Sequence, residues 1–168
     1  MLFAPKRSEV VDGIELRGGS EFLRQSKKSL ALLKSTRQFE VIRANIAIIR
    51  QGHRSGMRAR AETPTFVVGR PTWQHSALWY AGAIAHDAYH AKLYHEAKKA
   101  NGGKEPNVDA WTGVAAEREC LSFQRQVLIE LNADEKIIAY IDECEKNPTY
   151  QGRNQGWLSW LDYLRRRW

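Results

Sequence analysis

Two cysteines, two methionines, five prolines and no long apolar run set the first limits on this chain of 168 residues. Nothing approaches the roughly 20 uncharged apolar residues that a membrane helix needs, so no span is expected. The start, Met1-Leu2-Phe3-Ala4-Pro5-Lys6-Arg7, puts its basic residues after an apolar run too short for a signal peptide, and a cytoplasmic protein is expected. In such a chain thiols stay reduced. Cys120 and Cys144 therefore read as small core residues, and neither has a Cys or His neighbour at finger-like spacing. There is no internal repeat and no low-complexity linker. What is present, 43% hydrophobic and 27% charged residues, lies in the globular range, and the length suits one domain burying about two-thirds of its unfolded surface.

The net charge of +7 is uneven. Residues 1–84 hold 14 Lys/Arg against 6 Asp/Glu, whereas residues 85–168 hold 12 against 13. A basic half suits nucleic acid, an acidic substrate or an anionic surface, although a solvated face has the same composition.

Val10-Val11-Asp12-Gly13-Ile14 reads as a short strand or turn, and Gly18-Gly19-Ser20 as a helix N-cap. A helix is expected over about 21–34, then a short helix running into a strand between Gln38 and Arg50. Gln51–Gly56 reads as a turn, followed by extended pieces at Met57–Ala61 and Thr65–Gly69 that suggest a small sheet. A long helix is expected from Trp73–Ser76 to Ala100, a second from Asn107 or Asp109 to Leu131, and a third from Asp134 to Glu145. A last helix, 156–168, carries Trp157, Trp160, Leu161, Leu164 and Trp168 on one face.

Chemistry concentrates in Leu78–His90. Its apolar side chains point in every direction at about 100° per residue, the pattern of a helix buried all round, yet two imidazoles sit inside it. His86 and His90 are four residues apart, so they project from one face about 6 Å apart along the axis, suited to two nitrogens meeting one metal. On the next long helix Ala110, Val114, Leu121, Leu128 and Leu131 share one side, and Glu117 falls within that arc while Glu119 falls outside. An ionised carboxylate on an apolar stripe needs a partner charge or a cation. His86, His90 and Glu117 would form a His₂Glu set with an open fourth position, the arrangement of catalytic zinc; such a set also suits non-haem iron.

The run His86-Asp87-Ala88-Tyr89-His90 followed by Glu117 resembles the H-E-x-x-H plus downstream glutamate signature of gluzincin-type zinc metallopeptidases. Glu117 with small Cys120 three residues later is similar to the family's E-x-x-A pattern, and Thr65–Gly69 ahead of the histidine helix matches its order of sheet and active-site helix. The similarity covers about Ser20 to Leu131 and rests on four residues. It implies an α+β zincin-like fold in a single domain: a 1–19 extension, helix, small sheet and active-site helix over 20–100, and a helical part over 101–168 carrying the third ligand. It also implies one Zn²⁺ per chain and a peptide or protein substrate laid along Thr65–Gly69. Asp87 stands where the family has its general-base glutamate. It is one methylene shorter, and misplacement of a base by about 1 Å can cost about a hundredfold in rate. Tyr89, His95 and Tyr150 are candidates for the transition-state donor.

Two alternatives use other residues. His86-Asp87 is also the dyad of all-helical HD phosphohydrolases, whose metal site would here draw on His53 or His75 and on Asp109 or Asp142. A non-catalytic protein would instead contact nucleic-acid phosphates through the basic turn His53–Arg60 and Arg165–Arg167.

Overall fold

The computed structural model describes residues 7–147 and shows a mixed α+β fold. It opens with a hairpin of β1 (Arg7–Val11) and β2 (Ile14–Gly18). Asp12 and Gly13 at its tip have φ of 50° and 86°, so Asp-Gly supplies the two left-handed residues that match the twist of paired strands. The expected short strand or turn is thus a full hairpin, and the dipeptide was the signal for it. α1 (Ser20–Lys34) and α2 (Phe39–Asn45) follow, then β3 (Ile48–Gly52), β4 (Gly56–Arg58) and β5 (Thr65–Gly69).

The sheet order is β1-β2-β3-β5-β4, with β3 parallel to β2 and to β5, and β4 antiparallel on the outside of β5. Thr65–Gly69 is therefore an interior strand, paired with β3 along its whole length and with β4 at Thr65–Val67. This corrects the expectation that a substrate lies along it. The free edge near the histidine helix is β4, because the hairpin returns outward before β5 pairs inward.

One face of the sheet builds the core. Ile14, Leu16, Ile49, Phe66 and Val68 pack with Phe22, Leu23 and Leu30 of α1 and with the helix that follows. The long helix expected to begin near 73–76 is α4 (Ala77–Ala100), and a short helix not foreseen, α3 (Arg70–His75), precedes it. Between them Ser76 is extended, and its Oγ accepts the Trp79 amide at 3.0 Å, a side-chain cap that starts the new helix. α4 is buried all round, as its lack of a polar face predicts: Trp79, Tyr80, Ile84, Ala85, Ala88 and Ala91 are all in the interior.

The second long helix is broken, into α5 (Asp109–Thr112) and α6 (Val114–Glu130), at Gly113 with ψ of 174°. A Cβ there would stand 2.6 Å from the Asp109 carbonyl oxygen, so only glycine permits this approach. The break also changes the expected stripe: Ala110 and Val114 are exposed, whereas Leu121 and Leu128 remain buried. α7 (Glu135–Lys146) closes the described part, packing Ile141 and Cys144 on Trp79, Leu121 and Leu128. Both cysteines are buried, and they are not joined in a disulfide. No described helix is long and apolar enough to cross a membrane. The expected helix over 156–168 lies outside the described residues.

Candidate metal centre

α4 and α6 pack along their lengths, and Gly82 lets them approach: a Cβ there would meet Leu128 and Gln124 at 3.1–3.3 Å. Across this contact the helical repeat brings His86 and His90 of α4 against Glu117 of α6, all three buried. His86 Nε2 lies 3.1 Å from His90 Nε2, and the two nitrogens lie 3.3 and 3.2 Å from Glu117 Oε1 and Oε2. Among the described residues this is the one group of His, Cys, Asp or Glu able to hold a metal ion.

The other ring nitrogens decide what these atoms are. His90 Nδ1 lies 2.7 Å from the Trp111 carbonyl, which only accepts, so the proton is on Nδ1. That carbonyl is available because the helix breaks two residues later, at Gly113; in an unbroken helix it would accept the amide of residue 115. His86 Nδ1 similarly donates to Gln124 Oε1 at 3.1 Å. In neutral rings both Nε2 atoms are then lone pairs, and they face each other and a carboxylate. Three acceptors converge with no donor among them, which is unfavourable in a buried site unless a cation sits between them.

A proton is one such cation. Burial opposes charge on His90, but the adjacent Cys120 sulfur and Glu117 carboxylate outweigh it and raise its pKa to about 11. Burial likewise opposes the Glu117 charge, and the hydrogen bonds from His86 and His90 outweigh it, holding the carboxyl well below its usual range. Glu117 lies in the first turn of α6, where the positive end of the helix also favours its charge. Burial keeps the Cys120 thiol protonated.

A metal is the other cation. Ligands about 2.0–2.2 Å from a tetrahedral zinc stand about 3.3–3.6 Å apart, within a few tenths of an ångström of the observed spacings. The two Nδ1 hydrogen bonds are the outer contacts that fix tautomer and ring orientation in metal-binding histidines. Gln124→Leu keeps the volume but deletes one of them. Metal affinity should fall about 10–100-fold with the helix content unchanged, as read by competition against a chromophoric chelator.

Asp87 lies on the same turn of α4, between the two histidines in sequence. Its carboxylate accepts the Met57 amide of β4, tying α4 to the edge strand. Burial raises its pKa, while His86 and His90 pull it down, which places it beside the cluster.

The remaining candidates are not gathered there. Tyr89 packs on Phe123 with the Lys92 ammonium over its ring, and His95 Nδ1 meets Asn45 Oδ1 at 3.3 Å. Tyr150 lies outside the described residues. The ligands required by the HD-type arrangement are also elsewhere: His53, His75 and Asp109 are exposed, and Asp142 pairs with Arg125. Gln124 and the Trp111 carbonyl were not foreseen. Gln124 is seven residues after Glu117, a polar residue on the same buried stripe, and Thr112-Gly113 marked the break that frees the carbonyl.

No protein-family model matches the chain, and no curated protein or solved structure matches it.

Proposed function

We propose that the protein is a zincin-like zinc hydrolase, acting on peptide bonds, with one Zn²⁺ per chain held by His86, His90 and Glu117. The observation that carries the reading is the convergence of His86 Nε2, His90 Nε2 and the Glu117 carboxylate within 3.1–3.3 Å of one another in a buried site, a set that in neutral rings has no donor among its three members. Two histidines and a carboxylate leave a fourth position for substrate or water, unlike a four-cysteine structural site. Zinc at such a site supplies a Lewis acid and lowers the pKa of water to about 7.

The chain supplies the rest. Gln124 and the Trp111 carbonyl hold the imidazoles so that both Nε2 atoms face the cation. Asp87 takes the proton of the attacking water on its carboxylate and returns it to the leaving amine. Its bond to the Met57 amide holds that carboxylate at the free edge of the sheet, and its short stem limits its reach.

The two halves of this reading separate experimentally. Asp87→Ala should leave zinc stoichiometry intact and remove hydrolysis of a mixed peptide library, with product termini read by mass spectrometry. Asp87→Glu should raise turnover if reach limits the natural protein. Unchanged turnover in Asp87→Ala would exclude this residue as the base, and absence of cleavage in all three proteins would remove the peptidase assignment while leaving the metal site standing.

A further inference from the structure

The basic excess of the first half has a location. Side chains alternate across strands, so the core face of the sheet carries Ile14, Leu16, Ile49, Phe66 and Val68, and the opposite face carries Arg50 of β3 and Arg58 of β4. Ile48 and Val67, on that same opposite face, are buried and Arg50 between them is half-buried, whereas Arg58 at the β4 edge is exposed. The loop between β3 and β4 folds onto this corner. A Cβ on Gly69 would stand 3.0 Å from the His53 carbonyl oxygen and 3.2 Å from Arg54 Cα, so Arg54 sits beside Gly69 and its successor Arg70. Ser55 fixes the loop by accepting the Gly69 amide at 3.0 Å and by its hydroxyl contact with Thr72 at 2.7 Å.

Arg58 thus stands at the Thr65 end of β5, Arg50 beside Val67 at its middle, and Arg54 with Arg70 at its Gly69 end, and none of the four is in an ion pair among the described residues. This is unlike Arg17, Arg24, Arg37, Arg43, Arg60 and Arg125, which each pair with a carboxylate. Leaving four guanidinium groups uncompensated raises the local positive potential. Among the described residues the large exposed apolar side chains are Val114 and Ile129 on α6 and Val10, which shares this face of the sheet but stands at its far edge on β1, so no apolar anchor of a protein interface adjoins the arginines. Among the described residues it also presents no aromatic platform on which single-stranded bases would stack.

We infer that this corner binds the phosphate backbone of duplex nucleic acid without reading its sequence. Arg50 and Arg58 stand two strand spacings apart and two residues out of register, about 12 Å, and duplex strands carry a phosphate about every 3.4 Å along the axis, so the four guanidinium groups can meet as many phosphates. The surface is separate from the His86, His90 and Glu117 cluster and does not depend on its occupancy.

The test is fluorescence anisotropy of the full chain with a labelled 20-base-pair duplex across a salt series. Four phosphate contacts predict a slope of log affinity against log salt of about −4. R54E/R58E should lower affinity at least tenfold and reduce the slope by about 2. The control K28E/K99E, which makes the same change in net charge at exposed positions on α1 and α4, should stay within threefold of the parent. Circular dichroism establishes that each variant is folded. Equal losses in both double variants would show that only net charge matters, and an absence of binding at 50 mM salt would overturn the inference outright. Competition by polyglutamate as strong as by unlabelled duplex would assign the corner to an acidic protein instead.

Discussion

His86→Ala and His90→Ala should each lose zinc affinity by more than a hundredfold, with native helix content retained. Removing an outer-shell partner of a metal ligand costs about 10–100-fold, and removing the ligand itself costs more. The fold should survive, because each imidazole is replaced by a methyl group on a helix held by Trp79, Tyr80, Ile84, Ala85, Ala88 and Ala91 as well. Glu117 would then keep one histidine partner instead of two. Breaking a buried charged contact completely costs about 3–5 kcal/mol, and a partly relieved one costs less. The measurement is a competition titration against a chelator of known affinity, with far-ultraviolet circular dichroism on the same samples. Full affinity in both variants would exclude the pair as ligands.

Zinc should also raise the melting temperature, and the gain should grow from pH 6 to pH 8. At 100–1,000 times its dissociation constant a ligand contributes about 3–4 kcal/mol. For a chain of this size that is about 6–15 °C. The pH dependence follows from the groups at the site. In the metal-free protein Glu117 has a lowered pKa, so its contribution is present above its usual value of 4.5 and lost as pH falls toward its folded value. His90 has a raised pKa, so its contribution is complete below 6.5 and is lost as pH rises toward about 11. The metal-free pair is thus most stabilising between about 4.5 and 6.5. Zinc must displace the proton on His90, so its affinity rises with pH while the stabilisation of the metal-free pair declines. Both trends widen the gap between loaded and metal-free melting temperatures above pH 6.5. A gap that is constant or narrows over this range would contradict the proton-for-metal exchange.

Much of the arrangement was legible in the sequence where a local signal coincided with a tertiary one. Thr65–Gly69 forms the strand its β-branched run predicts, Phe39–Asn45 gives way to a strand at Ile48, and the four-residue spacing of His86 and His90 puts both rings on one face. Glu117 stood out because a carboxylate on an apolar stripe demands a partner, and the structure brings it to the histidines. Helix continuity was harder to read. The periodicity of residues 107–131 runs across Gly113, yet a close backbone approach there divides that helix, and the short α3 ahead of the Ser76 cap left no periodic signal of its own. Strand order is not a local property, so nothing near Thr65–Gly69 indicates that Gly56–Arg58 covers its outer edge. The partners of the imidazoles depend on those same features: the Trp111 carbonyl points at His90 only because α5 stops at Thr112.

The central claim is that the cluster holds a metal through Glu117. Elemental analysis of protein purified without an affinity tag, wild type beside Glu117→Ala, tests it most directly. About one zinc per chain in the wild type and a large loss in the variant is the expected result. No metal in the wild type, or a content indifferent to Glu117, would contradict the account and leave a proton as the cation between the two histidines and the carboxylate.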